Sequence, residues 1–226
     1  MQPYFLPYIG YWQLLAAVDR FVVYDNIQYA KKGWINRNRF LRNGADAFFT
    51  VPLKKGSDFL DIADRMIAAD FDARTILNPL AAAYRKAPFF GAVFPLIETI
   101  VTAAPRNLFD YLHHSLVVIA AHLDIRTPIV VSSAVPIDHR LKSERKVLAI
   151  CGALGATRYV NAIGGRELYS AAAFAAQGIE LKFIQSRPIV YPQYDQPFVP
   201  GLSIVDVLMF NSRDAVRAML GECDLV

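Results

Sequence analysis

The chain has 226 residues, of which 54% are hydrophobic and 19% are charged, and this balance excludes an intrinsically disordered protein. The longest uncharged run, residues 1–18, is interrupted by Pro3, Pro7 and Gly10, so it suits neither a membrane span nor a signal peptide. With only two cysteines, Cys151 and Cys223, the composition favours a reducing, cytoplasmic setting.

The formal net charge of +4 is unevenly distributed along the chain. Residues 26–57 contain seven basic side chains and one acidic side chain, so this segment carries +6 and the rest of the chain carries −2. Aromatic residues such as Trp34 and Phe48 alternate with the basic ones. The pattern indicates either a site for an anionic ligand or a solvated basic hairpin.

In the first half, apolar residues at helical spacing predict a short helix that starts near Ile9 and ends before Asp19, and the apolar run at 21–24 predicts a buried strand. Strands at 35–42 and 47–53 flank Asn43-Gly44, which is a strong hairpin signal. Arg37 and Arg39 are two residues apart on the first of these strands, so their side chains share one face. That face suits two phosphate oxygens, or it is the solvated face of an edge hairpin.

The middle of the chain predicts a helical block at about 72–123, with helices at 73–85, 90–103 and 107–123 bounded by prolines. Strands and helices then alternate, with strands at 128–132, 158–161 and 180–185, helices at 144–154 and 167–176, and closing helices at 204–210 and 213–220. The alternation predicts one α/β domain over 1–226 with a Rossmann-like parallel sheet. A loop at 187–201 with four prolines is typical of a lid or binding loop.

Polar motifs follow three of the predicted strands, at Asp25, at Ser132-Ser133 and at Asn161. Because the carboxyl ends of parallel strands share one edge, we expect these motifs to meet in one cleft. Asp25 is the candidate general base, since desolvation would raise its pKa, although a turn-forming role explains it as well. Glu144, in the first turn of a predicted helix, is the second candidate. The turn at Gly164-Gly165 either binds phosphate or only connects strand to helix.

The spacing of Tyr8-Ile9-Gly10-Tyr11 resembles the H-x-G-H turn of class I nucleotidyltransferases, with both histidines replaced by tyrosine. Tyrosine donates a hydrogen bond but carries no positive charge at neutral pH, which argues against nucleotidyl transfer by that route. The aromatic N-terminal segment is therefore either a ligand-binding loop or a plug over the core. The histidines of the helical block have no spacing typical of a metal site, and no cofactor is indicated.

Several long motifs resemble the WbqC-like proteins: M-Q-P-Y-F-L-P-Y-I-G-Y-W-Q-L, Y-D-N-I-Q-Y-x-K-K-G-W-I-N-R-N-R, N-A-I-G-G-R-E-L-Y and L-S-I-V-D-V-L-M-F-N-S. The resemblance implies a role in bacterial O-antigen or other surface-polysaccharide synthesis, and a glycine-transferase activity has been suggested for some members. Members usually carry a short apolar strand before M-Q-P-Y, so the resemblance implies either a late start or a missing first strand. Ala162 replaces the proline of the family's N-P-I-G-G motif.

The leading hypothesis is an aminoacyl or acyl transferase that acts on a phosphate-bearing precursor such as a nucleotide sugar. Arg37, Arg39, Gly164 and Gly165 are predicted to hold phosphate, and the tyrosines to shape a sugar or base pocket. The complete predicted binding set is Gln2, Tyr4, Tyr8, Gly10, Tyr11, Gln28, Arg37, Arg39, Asn161, Gly164, Gly165 and Asn211. The alternatives are a non-catalytic accessory protein that binds a sugar nucleotide and, ranked last, a single-stranded nucleic-acid binder. The sequence gives no indication of the oligomeric state.

Overall fold

The computed structural model describes residues 1–195 and 197–226. Its helices within these ranges are α1 (Ile9–Ala16), α2 (Arg74–Tyr84), α3 (Phe90–Val101), α4 (Leu108–His122), α5 (Ser143–Ala153), α6 (Ala171–Ala175), α7 (Ile204–Phe210) and α8 (Arg213–Met219). The strands are β1 (Phe21–Val23), β2 (Arg37–Arg42), β3 (Ala45–Thr50), β4 (Ile129–Val131), β5 (Arg158–Ala162), β6 (Glu180–Ser186) and β7 (Cys223–Leu225). Short 3₁₀ turns lie at Ile62–Asp64, Ser132–Ala134 and Ile163–Leu168.

The described strands form three small sheets, so the mixed α/β class is confirmed but one continuous Rossmann-like sheet is not. β1 pairs in parallel with β4, with Phe21 opposite Ile129. β5 pairs in parallel with β6, and β7 adds to β6 in the antiparallel direction. The single sheet is not formed because β1 and β5 do not pair with each other. An open slot of about 680 Å³ lies between them.

The hairpin prediction is confirmed by β2 and β3, which pair from Arg37 opposite Thr50 to Arg42 opposite Ala45. At the turn, Asn43 and Gly44 have φ angles of 53° and 76°. Two successive positive φ angles match the twist of a tight hairpin, and asparagine and glycine tolerate them best.

The three predicted helices of the middle block are confirmed as α2, α3 and α4. Helix α4 begins where Asn107 Oδ1 accepts a hydrogen bond from the Asp110 N–H at 3.2 Å, which satisfies a free donor of the first turn. No helix of the described residues is both long enough and apolar enough to cross a membrane.

The helix predicted at 167–176 is wrong in extent. Only Ala171–Ala175 are α-helical, because Ser170 caps this helix through its side chain. The preceding residues, Ile163–Leu168, form the 3₁₀ turn instead. The proline-rich loop predicted at 187–201 contains residue 196, which lies outside the described residues.

The buried apolar residues form two clusters on either side of the slot. The larger cluster joins the N-terminal segment, the hairpin, the helical block and α7. The smaller cluster joins α5, α6 and the start of β6 through five buried side chains: Val147, Leu148, Cys151, Phe174 and Ile179. Cys151 is thus buried in the smaller cluster.

Candidate functional site

A pocket of about 250 Å³ opens beside the N-terminal segment, and we call it the aromatic pocket. It is lined by Tyr4, Tyr8, Trp34, Asn38, Arg39 and Gly201. The structure thus brings together three of the predicted binding residues, Tyr4, Tyr8 and Arg39. Three of its six lining residues are aromatic and one carries a guanidinium group, and a few polar groups among apolar walls are typical of small-ligand sites.

The N-terminal wall of this pocket is held by hydrogen bonds to its backbone carbonyl groups. The buried Asn38 side chain donates to the carbonyl oxygens of Phe5 and Leu6 at 3.0 and 2.9 Å. Ser203 Oγ donates to the same Leu6 oxygen at 2.6 Å, and the Ile204 N–H donates to the Pro7 carbonyl at 3.0 Å. A segment rich in proline and aromatic residues is therefore fastened to β2 and to the start of α7. It does not lie loosely over the core.

Arg39 is the charged group of the aromatic pocket. Its Nη2 donates to the Gly201 carbonyl at 3.0 Å, its Nη1 lies 3.3 Å from Asp46 Oδ2, and its guanidinium stands over the Trp34 ring at 5.3 Å. Its Nε is buried and has no hydrogen-bond partner. A buried donor without a partner is costly, so this N–H would gain from any acceptor that a small shift of the Arg39 side chain brings within reach.

Arg37 shares the predicted face of β2 with Arg39 but does not line the pocket. Its Nε donates to the Gly33 carbonyl at 3.0 Å, and its guanidinium stands over the Phe48 ring at 4.9 Å. Phe48 in turn stacks on Trp34 with ring centroids 6.1 Å apart. Arg37 therefore supports the aromatic wall from behind through Phe48. Its donors are used to hold the loop before β2.

The other predicted residues of the N-terminal motif support Tyr4 and Tyr8. Tyr11 is buried, and its hydroxyl donates to the Gln2 carbonyl at 3.0 Å, so it is part of the core and not a wall of the pocket. The Tyr4 hydroxyl lies 3.4 Å from Gln2 Oε1. At Gly10, a Cβ would stand 2.5 Å from a ring carbon of Tyr8, so glycine is needed for the Tyr8 ring to fold back over the helix start.

A second polar group, which we call the strand-end cluster, lies at the carboxyl ends of β1 and β4. It consists of Asp25, Asn26, Ser132, Ser133 and Lys146. Asp25 Oδ1 accepts hydrogen bonds from Ser132 Oγ at 2.8 Å and from the Ser133 N–H at 3.0 Å. Burial acts to raise the pKa of Asp25, but the hydrogen bonds from the two serines outweigh it and the pKa is lowered. The expectation of a raised pKa is therefore wrong, and Asp25 is ionised at neutral pH.

Lys146 is the residue of this cluster that the sequence analysis missed. It is buried, and its Nζ donates to the backbone oxygen and to Oδ1 of Asn26, both at 2.9 Å. It forms no ion pair with a carboxylate of the described residues, and burial lowers its pKa, with Lys142 adding to the effect. One signal was available: Lys146 lies four residues before Ile150, on the apolar face of α5.

The predicted residues on the far side of the slot serve local structure. Glu144 Oε2 accepts a hydrogen bond from the Ser170 N–H, which fixes the start of α6 to the start of α5. Asn161 Oδ1 accepts from the Ala162 N–H at 2.8 Å, and its amide nitrogen fills the space beside Gly165 at 2.9 Å from the position of a Cβ. Nothing lies within 4 Å of the corresponding position at Gly164. The turn is therefore open at Gly164 and tightly packed at Gly165, as expected of a connection that follows a strand.

Two further predicted residues lie in neither group. The Gln28 side chain donates to the Asp58 carbonyl at 2.9 Å, and the Asn211 side chain donates to the Val207 carbonyl at 2.8 Å in the last turn of α7. Their side chains thus stabilise a loop and a helix end. In the described ranges, no three His, Cys, Asp or Glu side chains come together in a way that would hold a metal ion.

The aromatic pocket and the strand-end cluster are joined by a short stretch of backbone. The Met1 carbonyl accepts a hydrogen bond from the Tyr24 N–H at 2.9 Å, next to Asp25, and Tyr4 lines the pocket. Three residues of extended chain span at most about 11 Å.

The fold and the pocket define a mixed α/β protein with an aromatic pocket that carries one arginine. The chain belongs to the WbqC-like protein family, whose model matches residues 2–218. It is similar to a protein of Mycobacterium tuberculosis (strain ATCC 25618 / H37Rv) named "Uncharacterized protein Rv1507c", with 29% identity over 219 residues that cover 93% of this chain and 91% of the relative. No solved structure matches the chain.

Proposed function

We propose that the protein binds a phosphate-bearing sugar or nucleotide, such as a nucleotide-linked sugar, in the aromatic pocket, and transfers an aminoacyl or acyl group to it. The group would come from an activated ester or thioester and pass to a hydroxyl or amino group of the bound ligand, which gives its proton to a base as the donor's alcohol or thiol leaves. The family resemblance supports a place for this reaction in bacterial O-antigen or other surface-polysaccharide synthesis. The observation that carries the proposal is the buried Nε of Arg39, which has no partner in a pocket lined by aromatic rings. The free thiols of Cys151 and Cys223 support a reducing, cytoplasmic setting.

The pocket combines the two kinds of contact that such a ligand needs. The Arg39 guanidinium supplies a charge-assisted hydrogen bond to a phosphate oxygen. The rings of Trp34, Tyr4 and Tyr8 supply flat apolar surfaces for a sugar or base, and the tyrosine hydroxyls supply donors to its polar edge.

Asp25 is the proposed general base of the transfer. Its carboxylate is already in the ionised form that a base requires, although its lowered pKa makes it a weak base. Glu144 is the second proposed acid–base group, and its contact with the Ser170 N–H fixes it at the start of α5.

A non-catalytic binding protein is the second candidate, and the same contacts favour it. Asp25 accepts hydrogen bonds from two serines, and Glu144 accepts one from a backbone N–H. Both carboxylates therefore already have hydrogen-bond partners within the protein. Turnover by the wild-type protein distinguishes the two functions, since a non-catalytic binding protein shows none. If turnover is found, Asp25→Asn tests the base: loss of turnover with unchanged ligand affinity supports Asp25, and unchanged turnover excludes it.

The binding proposal is tested by calorimetry against nucleotide sugars, sugar phosphates and nucleoside triphosphates. We expect Arg39→Met to weaken binding of the best ligand about 10- to 100-fold, which corresponds to one charge-assisted hydrogen bond. Arg42→Met is the matched control, because Arg42 lies on the same strand and is exposed. Equal affinity of the two variants would contradict the assignment of the pocket.

The same titrations address nucleic acid. An oligonucleotide that spans the basic hairpin would release several counterions, so its affinity would fall steeply with salt. A single phosphate held by Arg39 predicts a shallow salt dependence. A steep dependence with an oligonucleotide and no binding of nucleotide sugars would replace the proposed ligand class.

A further inference from the structure

Phe59 has the most exposed of the large apolar side chains in the described ranges, at 83%. It lies in the loop at residues 54–60, which follows β3 and ends just before the 3₁₀ turn at Ile62–Asp64. Single exposed apolar side chains are common on protein surfaces. The meaning of this one therefore depends on what holds it in place and on what surrounds it.

The loop at residues 54–60 is held by hydrogen bonds next to Phe59. The Ser57 carbonyl accepts from Arg65 Nη1 at 3.1 Å, and the Asp58 carbonyl accepts from the Gln28 side chain at 2.9 Å. The Phe59 N–H itself donates to Ser57 Oγ at 3.2 Å. Because the Arg65 side chain is buried, it anchors the loop to the body of the protein. These contacts favour an outward position of the Phe59 ring over a collapse onto the surface.

Basic side chains surround Phe59 on two neighbouring loops. Lys31 Nζ lies 2.6 Å from Asp58 Oδ1, so the loop at residues 30–34 meets the loop at residues 54–60 beside Phe59. With four lysines and one aspartate, these two loops carry a net charge of +3. The four lysines are all exposed: Lys31, Lys32, Lys54 and Lys55. We call Phe59 and these four lysines the Phe59 face.

The Phe59 face has the composition that holds a protein at a lipid–water interface. An aromatic ring inserts at the level of the head groups, where its apolar surface leaves water. Lysine stems lie along apolar surface while their ammonium groups reach lipid phosphates. Each basic residue near an anionic membrane surface strengthens binding about fivefold. A net charge of +3 therefore corresponds to a preference for anionic lipid of about 100-fold.

We propose that the Phe59 face docks on an anionic membrane surface, with the Phe59 ring among the lipid head groups and the four lysines against lipid phosphates. The protein lies on this surface and does not cross it. Trp34, in the same loop as Lys31 and Lys32, also lines the aromatic pocket, so docking brings this wall of the pocket close to the head groups. This inference does not rest on the proposed function.

The aromatic contacts of the hairpin favour a membrane over a nucleic acid as the partner. Phe48 stacks on Trp34, with ring centroids 6.1 Å apart. Arg39 stands over the Trp34 ring at 5.3 Å, and Arg37 stands over the Phe48 ring at 4.9 Å. Stacked bases would have to displace such contacts. Insertion of the Phe59 ring displaces none of them, and lipid head groups rearrange around an inserted ring without a preformed groove.

The test measures co-sedimentation of the purified protein with lipid vesicles. One set contains phosphatidylcholine alone, and the other contains phosphatidylcholine and phosphatidylglycerol. Two variants change the face: Phe59→Ser, and the double variant Lys54→Gln/Lys55→Gln. Val190→Ser is the control for the first, since Val190 is 72% exposed in the proline-rich loop. Arg85→Gln/Lys86→Gln is the control for the second, since it removes two adjacent exposed basic residues at the end of α2.

We expect binding to the anionic vesicles to be about 30- to 100-fold tighter than to the neutral ones, and to weaken as salt is added. Phe59→Ser should weaken binding to the anionic vesicles about 10-fold, because the ring no longer inserts. Lys54→Gln/Lys55→Gln should weaken it about 10- to 30-fold. Both controls should bind like the wild-type protein, and all variants should keep its thermal midpoint, since every changed side chain is exposed.

Fluorescence shows whether the ring enters the interface. Trp12 is fully buried, so it should not respond to lipid. Phe59→Trp should add a blue-shifted emission with anionic vesicles that the wild-type protein lacks. Failure to bind anionic vesicles would overturn the proposal, and so would face variants that bind no worse than their controls. Binding of an oligonucleotide that depends on Lys54 and Lys55, without vesicle binding, would overturn it in favour of a nucleic-acid partner.

Discussion

Replacement of Tyr84 by phenylalanine tests the buried network that holds the proline-rich loop against α7. The Tyr84 hydroxyl donates to Asp206 Oδ1 at 2.8 Å and accepts a hydrogen bond from the Leu41 N–H at 2.8 Å. Asp206 Oδ2 accepts from the Tyr191 hydroxyl at 2.7 Å and from the Gln193 side chain at 2.6 Å. Tyr84 and Asp206 are both fully buried.

The magnitude follows from the two bonds that are lost. A hydrogen bond to a charged group contributes about 1.5–3 kcal/mol, and the Leu41 N–H left without a partner costs about 1–3 kcal/mol. We therefore expect Tyr84→Phe to lower the free energy of unfolding by about 3–5 kcal/mol at pH 7, measured by urea denaturation. Tyr111→Phe is the matched control, since Tyr111 is equally buried and donates one bond, to the neutral Val101 carbonyl at 3.0 Å. Its loss should cost about 1–2 kcal/mol.

The pH dependence gives a second check. Burial raises the pKa of Asp206, although the hydrogen bonds from Tyr191, Tyr84 and Gln193 oppose it. As the pH rises from 3.8 through the raised pKa, the folded protein holds a proton that the unfolded chain has released, so this group lowers stability over that window. Loss of the Tyr84 bond raises the pKa further, so the cost of Tyr84→Phe should shrink as the pH falls towards 4. A cost equal to that of Tyr111→Phe at pH 7, or one independent of pH, would refute the reasoning.

Three further substitutions probe the pocket, the strand-end cluster and the hairpin. Gly10→Ala should displace the Tyr8 ring, since the new Cβ would stand 2.5 Å from it. Calorimetry should then show weaker ligand binding, and an unchanged affinity would mean that Tyr8 does not contact the ligand. Asn26→Ala removes the side-chain acceptor 2.9 Å from the buried Lys146 Nζ and should lower the urea-unfolding free energy by about 1–3 kcal/mol, a loss that should shrink in the Lys146→Met background. Gly44→Ala, at a φ of 76°, should cost about 1–2 kcal/mol, and a thermal midpoint that stays unchanged would contradict the turn geometry.

The local elements of this fold could be predicted from the sequence, because their signals are local. Asn43-Gly44 predicts the hairpin through the backbone freedom of those two residues. The helices of the middle block follow from apolar periodicity between prolines. The arrangement of the sheets could not be predicted in this way, since it depends on whether β1 and β5 meet, and no local pattern records what lies between them.

The candidate site also has a part that the sequence predicted and a part that it did not. Tyr4, Tyr8 and Arg39 stand out in the sequence by type and spacing, and the structure brings them into one pocket. The sign of the pKa shift at Asp25 could not be predicted, because it is set by Ser132 and Ser133, more than a hundred positions away. Lys146 was missed for the same reason, since its partner Asn26 is 120 residues distant.

The pairing of β1 with β4 also has a consequence for how the chain folds. Phe21 lies opposite Ile129, so the hairpin and the whole helical block must be enclosed as a loop of about a hundred residues before these strands can meet. Closing such a loop costs conformational entropy, and the contacts that offset this cost form only after the loop has closed. The hairpin and helices α2 to α4 form their contacts between residues that are close in sequence. We therefore expect the hairpin and helical block to form early and the β1–β4 pair to form last. Until that step, both strands are exposed to intermolecular pairing, so refolding yield should fall as protein concentration rises.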